Sequence, residues 1–227
     1  MNYVISICNP KELDTLTDIC RIMALPMNIV LHGRGTAVRS MLDILGIETN
    51  EKRVVMSMVR SDRTGAFLRE QKRRLFVGVP GHGIAVAVPV KSIGGGKTVE
   101  YLNGGQPAEK QLPKLNYAYE LIAAIANEGR TDMVMNAARA AGATGGTVLH
   151  GKGAMNGGEQ AFYHVSIARE KEVILIVARA AQKTAIMRAI LEQAGPGTEA
   201  AAIVFSLPVS EVAGFGIFEE NEEAEKE

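Results

Sequence analysis

Two short stretches of the sequence combine glycine with a basic side chain, an arrangement that suits an anion. They are Gly33-Arg34-Gly35 and Gly151-Lys152-Gly153, and each follows the apolar phrase Val-Leu-His. Glycines leave backbone N–H groups open to a ligand, and the cation between them adds positive charge. The pattern predicts a turn leaving a strand, where a small anionic ligand binds. A plain structural turn is the alternative interpretation.

The apolar phrase belongs to a longer internal repeat. Its two copies start at Val30 and Val148, which are 118 positions apart. Further matches at an offset of 118 or 119 are Asn9 with Asn127, Glu51-Lys52 with Glu170-Lys171, Arg60 with Arg179, Pro89-Val90 with Pro208-Val209, and Gly95 with Gly214. Chance matches would not keep the offset within one residue over separated places. The sequence therefore predicts a tandem duplication.

Both halves show the same predicted order of elements, β-α-β-β-α-β. In the first half, apolar patterns place strands at residues 3–8, 27–32, 52–59 and 84–90, and helices at 11–23, 37–45 and 64–75. In the second half, strands fall at 119–126, 146–150, 173–178 and 202–207, with helices starting at 131 and at 184. Apart from the short helix at 37–45, this order is the ferredoxin-like plan, an antiparallel sheet with two helices on one face.

The other face of each predicted sheet must also be covered. Strand segments 84–88 and 173–177 are almost entirely apolar, so a bare face would expose a large hydrophobic patch. We therefore predict an α+β fold of two tandem ferredoxin-like domains whose sheets pack against each other, within the chain or between chains. The predicted boundaries are 1–96 for the first domain, 97–116 for a linker with a small hairpin near 98–102, 117–218 for the second domain, and 219–227 for an acidic disordered tail.

The overall composition argues against nucleic acid and anionic membranes as partners. The 25 basic and 25 acidic residues cancel, and the aromatic residues that would stack on bases make up 5% of the chain, with no Trp. The basic cluster Arg69, Lys72, Arg73 and Arg74 is interpreted as a solvated helix face, although it could dock an acidic partner or RNA. The two cysteines are interpreted as buried, reduced thiols of a cytoplasmic protein.

The sequence does not predict an enzyme. No nucleophile elbow, Walker loop, pair of catalytic carboxylates or metal signature is present. His32 and His150 end the second strand of each half, with no Asp or Glu beside them in sequence, so a structural role is the simplest interpretation. The alternative class is a metal-tolerance-type or structural trimer that binds no nucleotide. Its only metal candidates are His32, His150, Cys8 and Cys20.

The second half resembles the nitrogen-regulatory P-II signalling proteins. Residues 145–153 are similar to the end of their second strand, just before a long mobile loop. Ala194-Gly195-Pro196-Gly197 and residues 203–209 are similar to the loop before their fourth strand and to that strand. Residues 78–86 form a weaker copy in the first half. The resemblance covers most of the chain as a tandem pair of P-II-like domains.

The P-II resemblance implies a non-catalytic regulator that binds a small effector in clefts between neighbouring domains. The implied effector is an adenine nucleotide (ATP, ADP or AMP), and the implied homo-oligomer is a trimer of tandem chains. The loop after strand two would dock on a transporter or an enzyme. The lysine of the family's phosphate loop is absent from residues 198–201, and no arginine occurs at 210–215. The implied ligand-binding residues are Gly33, Arg34, Gly35, Gly81, His82, Gly83, Gly151, Lys152, Gly153, Gly195, Gly197 and Thr198.

Overall fold

The structure is a computed structural model that describes residues 1–36, 50–79, 81–90, 93, 96–105, 115–152, 161–162, 165–166 and 170–214. The predicted helix at 37–45, Gly153 and the acidic tail lie outside these residues. The strands are β1 (Asn2–Cys8), β2 (Asn28–Gly35), β3 (Glu51–Val59), β4 (Gly83–Pro89), β5 (Asn116–Asn127), β6 (Thr147–Lys152), β7 (Ala161–Phe162), β8 (Val165–Ser166), β9 (Glu170–Arg179), β10 (Ile203–Val209) and β11 (Glu211–Ala213). The helices are α1 (Leu13–Ile22), α2 (Ser61–Leu75), α3 (Gly96–Leu102), α4 (Thr131–Ala140) and α5 (Ala180–Ala194), with a 3₁₀ turn at Pro10–Glu12.

The dipeptide Asn9-Pro10 begins the first helical segment at the end of β1. Pro10 occupies the first helical position, where no N–H partner is required. The backbone N–H of Asn9 donates a 2.9 Å hydrogen bond to Oε2 of Glu12, which completes a capping box. These contacts fix Asn9 and Glu12 at the end of the sheet where the candidate site lies.

Across the described residues, no helix has both the length and the apolar character needed to cross a membrane.

Nine of the eleven described strands form one antiparallel sheet, in the order β10-β5-β9-β6-β2-β3-β1-β4-β11. The first half contributes its strands in the order second, third, first, fourth, and the second half repeats this order from the same junction outward. The halves join edge to edge, because Gly33, Arg34 and Gly35 of β2 pair with residues 149, 148 and 147 of β6. The short strands β7 and β8 pair only with each other.

The sheet curls until its two edges meet. β10 lies at one edge and β11 at the other, yet only Ser210 separates them along the chain. The backbone N–H of Ser210 donates a 2.7 Å hydrogen bond to the carbonyl oxygen of Ala87 in β4. The inner faces of the two half-sheets therefore lie opposite each other within a single chain.

Three buried apolar layers hold the described part of the chain together. One lies between the first half-sheet and helices α1 and α2, and another between the second half-sheet and helices α4 and α5. The third lies between the two inner faces and draws on both halves, for example Ile5 and Leu121. In β9, Ile176 faces the helices while its neighbour Val177 faces the inner layer. Strands such as β9 are buried on both faces, which explains why their sequences are uninterrupted apolar runs.

A mixed structure with a large antiparallel sheet agrees with the predicted α+β class. Two local predictions are wrong. Residues 98–102 belong to α3 instead of a hairpin, because Leu102 packs inward and the hydroxyl of Tyr101 donates to the carbonyl oxygen of Pro26. Gly33-Arg34-Gly35 and Gly151-Lys152 continue their strands instead of forming turns, because neighbouring strands pair with them.

Candidate functional site

In the first half, Lys52 connects two of the predicted glycine-rich groups. The antiparallel register of β2 and β3 places Lys52 opposite Gly33. The ammonium group of Lys52 donates a 3.1 Å hydrogen bond to the carbonyl oxygen of Gly81, in the loop before β4. It also donates a 2.5 Å hydrogen bond to Oδ1 of Asn9. The end of strand two and the loop before strand four therefore meet around one lysine.

Asn9 and Glu12 complete this network. The side-chain amide of Asn9 donates a 3.1 Å hydrogen bond to the same carbonyl oxygen of Gly81 that Lys52 contacts. Oε1 of Glu12 lies 2.9 Å from Nδ1 of His82, and the ring of His82 also meets the edge of the Phe76 ring. Gly83 brings β4 close to β1, since a Cβ there would lie 2.0 Å from the carbonyl oxygen of Ile7. The Gly81-His82-Gly83 loop is thus held from three sides.

Burial governs the electrostatics of this network. It lowers the pKa of the Lys52 ammonium, although the nearby carboxylate of Glu12 opposes the shift. Burial also raises the pKa of the neighbouring Cys8 thiol to about 11, and the charge of Glu12 adds to that effect. A cation held in a partly desolvated position interacts more strongly with an anion than an exposed one does. Within the described network, the charge of Lys52 is opposed by the carboxylate of Glu12.

The second half contains the same arrangement. Lys171 lies opposite Gly151 in the β6–β9 ladder, and its ammonium group donates a 2.6 Å hydrogen bond to Oδ1 of Asn127. The side-chain amide of Asn127 donates to the carbonyl oxygen of Glu199, in the loop before β10. Lys171 is buried, at 7% exposure. A lysine, an asparagine and a loop carbonyl thus recur at equivalent positions of the repeat.

The two sites differ beside the histidines that end the Val-Leu-His phrase. His150 is paired across the ladder with Glu172, whose Oε1 lies 3.8 Å from Nδ1 of His150. The other oxygen of this buried carboxylate accepts hydrogen bonds from the N–H and the hydroxyl of Thr131, at 3.0 and 2.7 Å. In the first half, the partner of His32 is Arg53. The structure therefore supplies a carboxylate that the sequence did not place beside either histidine.

The loop that contains Gly195, Gly197 and Thr198 is closed by its own hydrogen bonds. The hydroxyl of Thr198 donates a 2.8 Å hydrogen bond to the carbonyl oxygen of Gly195 and accepts one from the N–H of Ala201 at 3.3 Å. Gly197 has a φ of +94°, which glycine adopts without strain. This loop carries the carbonyl of Glu199 that Asn127 contacts.

The predicted ligand residues fall into two groups, one per half, which the fold keeps apart. Because β2 and β6 run antiparallel, Gly35 lies beside the start of β6, whereas Lys152 lies at its far end. The N–H of Gly35 donates to the carbonyl oxygen of Asn50, so it is not open to a ligand. The side chain of Arg34 is exposed and forms no ion pair within the described residues. Arg34 is therefore the more accessible source of charge in the first group.

The junction between the halves lies directly beside the first site. The hydroxyl and N–H of Thr36 donate hydrogen bonds to the carbonyl oxygen of Gly146, at 3.0 and 3.1 Å. The N–H of Gly146 donates back to the hydroxyl of Thr36 at 2.9 Å, and the guanidinium of Arg139 donates to the carbonyl oxygen of Thr36. The base of the loop after β2 is therefore attached to the second half.

Sequence reasoning missed the lysine and the asparagine that join strand and loop within each site. These side chains are Lys52 and Asn9 in the first half and Lys171 and Asn127 in the second. Their signal was present, because both pairs occur at matched positions of the repeat. Metal binding has no comparable support. In the described ranges, no three His, Cys, Asp or Glu side chains lie close enough together to hold a metal ion. Cys8 and Cys20 are buried free thiols, as predicted.

The described residues form an α+β protein with a similar lysine-centred cluster in each half, and comparison with known proteins gives one family match. Residues 119–215 match the family model described as "Nitrogen regulatory protein P-II", which confirms the P-II resemblance in the second half. The match covers less than half of the chain, and for this segment it points to a regulatory role in signal transduction. No curated protein matches the chain.

One solved structure with similarity to the chain is titled "Crystal Structure of an Unknown Protein from Galdieria sulphuraria". It is 12% identical, covers 92% of this chain and 98% of its own, and has a TM-score of 0.24. Similarity at this level supports no conclusion about the fold or the function.

Proposed function

We propose that the chain is a duplicated P-II-like regulator made of two tandem ferredoxin-like domains, at residues 1–96 and 117–218. Three observations support this proposal. The halves repeat the same strand order, the matches at offsets 118 and 119 fall on equivalent elements, and the second half matches the P-II family model. In this proposal the protein is cytoplasmic and acts by binding, without catalysis.

Each domain would bind one small anionic effector, and an adenine nucleotide is the first candidate. The observation that carries this proposal is the recurrence of a partly or fully buried lysine, Lys52 or Lys171, between the end of strand two and the loop before strand four. In this proposal Arg34 and Lys152 supply the additional positive charge that a phosphate needs. Beside Lys152, Gly151 leaves open space in which the ligand could approach the backbone.

The effector state would pass to a partner transporter or enzyme through the loop that follows strand two. Contacts of Thr36 with Gly146 and Arg139 support this route, because they tie the base of the first loop to the second half. A shift of Gly35 or Thr36 on ligand binding would move these contacts. The signal would therefore involve both halves of the chain.

Isothermal titration calorimetry with ATP, ADP and AMP tests the effector proposal. We expect saturable binding of at least one nucleotide, and weaker binding after Arg34→Ala or Lys152→Ala. Arg21→Ala is the matched control, since Arg21 is an exposed arginine on α1 that pairs with Asp18. Absence of heat with all three nucleotides would refute the nucleotide assignment. Equal weakening by Arg21→Ala would refute the assignment of Arg34.

The proposed trimer of tandem chains is tested separately by light scattering. A trimer is not needed to bury the inner faces of the sheets. The apolar layer that includes Ile5, Val54 and Leu121 is already covered within one chain. A mass of three chains that persists on dilution would support the trimer. A stable monomer would contradict it and leave the effector sites to a single chain.

A structural protein that binds no nucleotide is the second candidate function. The saturation of the lysines favours it, because Lys52 already donates to Asn9 and Gly81, and Lys171 donates to Asn127. In this alternative the lysines stabilise the loops, and Lys52→Met lowers stability without changing any ligand response. Calorimetry with the nucleotides distinguishes the two functions directly.

A further inference from the structure

A cavity of about 270 Å³ lies at the opposite end of the first half-sheet from Lys52. Its walls come from the connection between α1 and β2, the end of β3, the start of α2 and the end of α3. Lys52 and Met58 are six residues apart on β3, which separates the cavity from the Lys52 network by roughly 20 Å. The cavity is therefore independent of the effector sites.

Part of the cavity wall is apolar, and the rest is polar, with Asn103 among its residues. Leu25, Pro26, Met58 and Leu102 line it, and three of them are at least nine-tenths buried, with exposures of 9% for Leu25, 7% for Met58 and 8% for Leu102. Its volume corresponds to about nine water molecules at roughly 30 Å³ each. A space of this size and mixed lining fits a compact ligand of about ten non-hydrogen atoms with one polar end.

Positive charge lies at one side of the cavity. Arg60 and Arg63 both line it, and the guanidinium of Arg60 is paired with Asp62 at 3.0 and 3.1 Å. The hydrogen bond and charge of Arg60, together with the charge of the half-buried Arg63, lower the pKa of the Asp62 carboxyl. Two guanidinium groups that line the cavity thus share the single carboxylate of Asp62, and one further carboxylate would balance their charge.

Helix α3 closes the cavity from the side of the connection between the halves. Leu102, at its end, contributes to the apolar wall, and the hydroxyl of Tyr101 donates a 2.8 Å hydrogen bond to the carbonyl oxygen of Pro26. The side chain of Tyr101 is 62% exposed, so it lies outside the buried core and its hydroxyl is held by this hydrogen bond. The contact fixes α3 over the connection between α1 and β2.

We propose that this cavity is a second ligand site, which binds a small monocarboxylic acid with a compact apolar body. The carboxylate pairs with Arg63, and the apolar body packs against Met58 and Leu102. Because α3 belongs to the connection between the two halves, a ligand here stabilises α3 against the first half. The protein would therefore respond to a second ligand, at a site distinct from the effector sites near Lys52 and Lys171.

Phenylacetate and phenylacetamide are suitable probes, because they have the same shape and differ in charge. The protein is labelled at its methionine methyl groups, and the Met58 resonance, identified with Met58→Leu, is followed by NMR. We expect phenylacetate to shift Met58 saturably and to bind about tenfold more tightly than the amide, as for a charged hydrogen bond. Met135, fully buried in the second half, should not move.

Two variants test the assigned contacts. Arg63→Gln should weaken phenylacetate binding about tenfold and remove the preference over the amide. Arg69→Gln removes the same charge from the same helix outside the cavity and should leave the affinity unchanged. Tyr101→Phe should weaken both probes, because it releases α3. Equal affinity for acid and amide, no movement of Met58, or unchanged affinity in Arg63→Gln would each overturn the proposal.

Discussion

The ammonium group of Lys52 lies 2.5 Å from the side-chain oxygen of Asn9, at the end of the first half-sheet. Lys171 and Asn127 repeat this contact at 2.6 Å in the second half. In both halves the asparagine also donates to a carbonyl of the loop before strand four. This contact joins strand one, strand three and that loop, which are distant in sequence. The predictions that follow concern the strength of these connections and their surroundings.

Asn127→Ala should lower the free energy of unfolding by about 1–3 kcal/mol. The substitution removes a hydrogen bond to the buried ammonium of Lys171 and the bond to the carbonyl of Glu199. Urea denaturation followed by circular dichroism measures the change. Asn136→Ala is the matched control, because Asn136 is exposed on α4. A loss in Asn127→Ala no larger than that in the control would contradict the structural role of the network.

Gly33→Ala and Gly151→Ala should differ, although both glycines belong to the repeated phrase. A Cβ at Gly33 would lie 3.1 Å from Cγ2 of Val54 and 3.3 Å from Cδ2 of Leu149, which is tighter than ordinary packing. A Cβ at Gly151 would meet no atom of the described structure within 4 Å. We expect a loss of about 1–2 kcal/mol for Gly33→Ala. Gly151→Ala should stay within about 0.5 kcal/mol of the parent.

Thermal and chemical denaturation of the two glycine variants provides the measurement. Each variant serves as the control for the other, because the same methyl group is added in the same sequence context. Equal losses in both variants would show that the inner layer at the β2–β6 junction adapts more easily than its geometry indicates.

Glu172→Ala should lower the free energy of unfolding by about 1.5–3 kcal/mol. The buried carboxylate accepts two hydrogen bonds from Thr131, the first residue of α4, and removing it leaves those donors unpaired. Guanidinium denaturation measures the loss, and Glu128→Ala, at an exposed position, is the control. Glu172→Gln should recover part of the stability, since the amide oxygen still accepts hydrogen bonds. A loss in Glu172→Ala equal to the control would refute this capping role.

Stability should fall as the pH rises from about 9 to about 11. Burial raises the pKa of the Cys8 thiol to about 11 from its ordinary value of 9.0, so in this window the unfolded chain loses the proton that the folded chain retains. Well below pH 9 both states keep the proton, and this group causes no pH dependence of stability. Cys8→Ala should reduce the slope of unfolding free energy against pH in this window. An unchanged slope would contradict the assignment.

The sequence by itself determined the order of the elements and predicted a tandem duplication, with which the structure is compatible. Periodicity places eight strands and most helices close to their observed positions, because an apolar run can be buried in a sheet wherever the chain folds. Residues 145–153, 194–197 and 203–209 also carry the P-II resemblance, which the family comparison confirms for residues 119–215. The same offsets contain Lys52 and Lys171, although sequence alone assigns them no role.

Only the tertiary structure decided how those elements combine. Cross-strand register places Lys52 opposite Gly33 and Glu172 opposite His150, and no local pattern contains that register. Pairing of β2 with β6 turned the expected Gly-basic-Gly turn into paired strand, since neighbouring strands supply its backbone partners. Curling of the sheet buried both inner faces within one chain. These outcomes depend on contacts between residues far apart in sequence, so they appear only when the whole chain has packed.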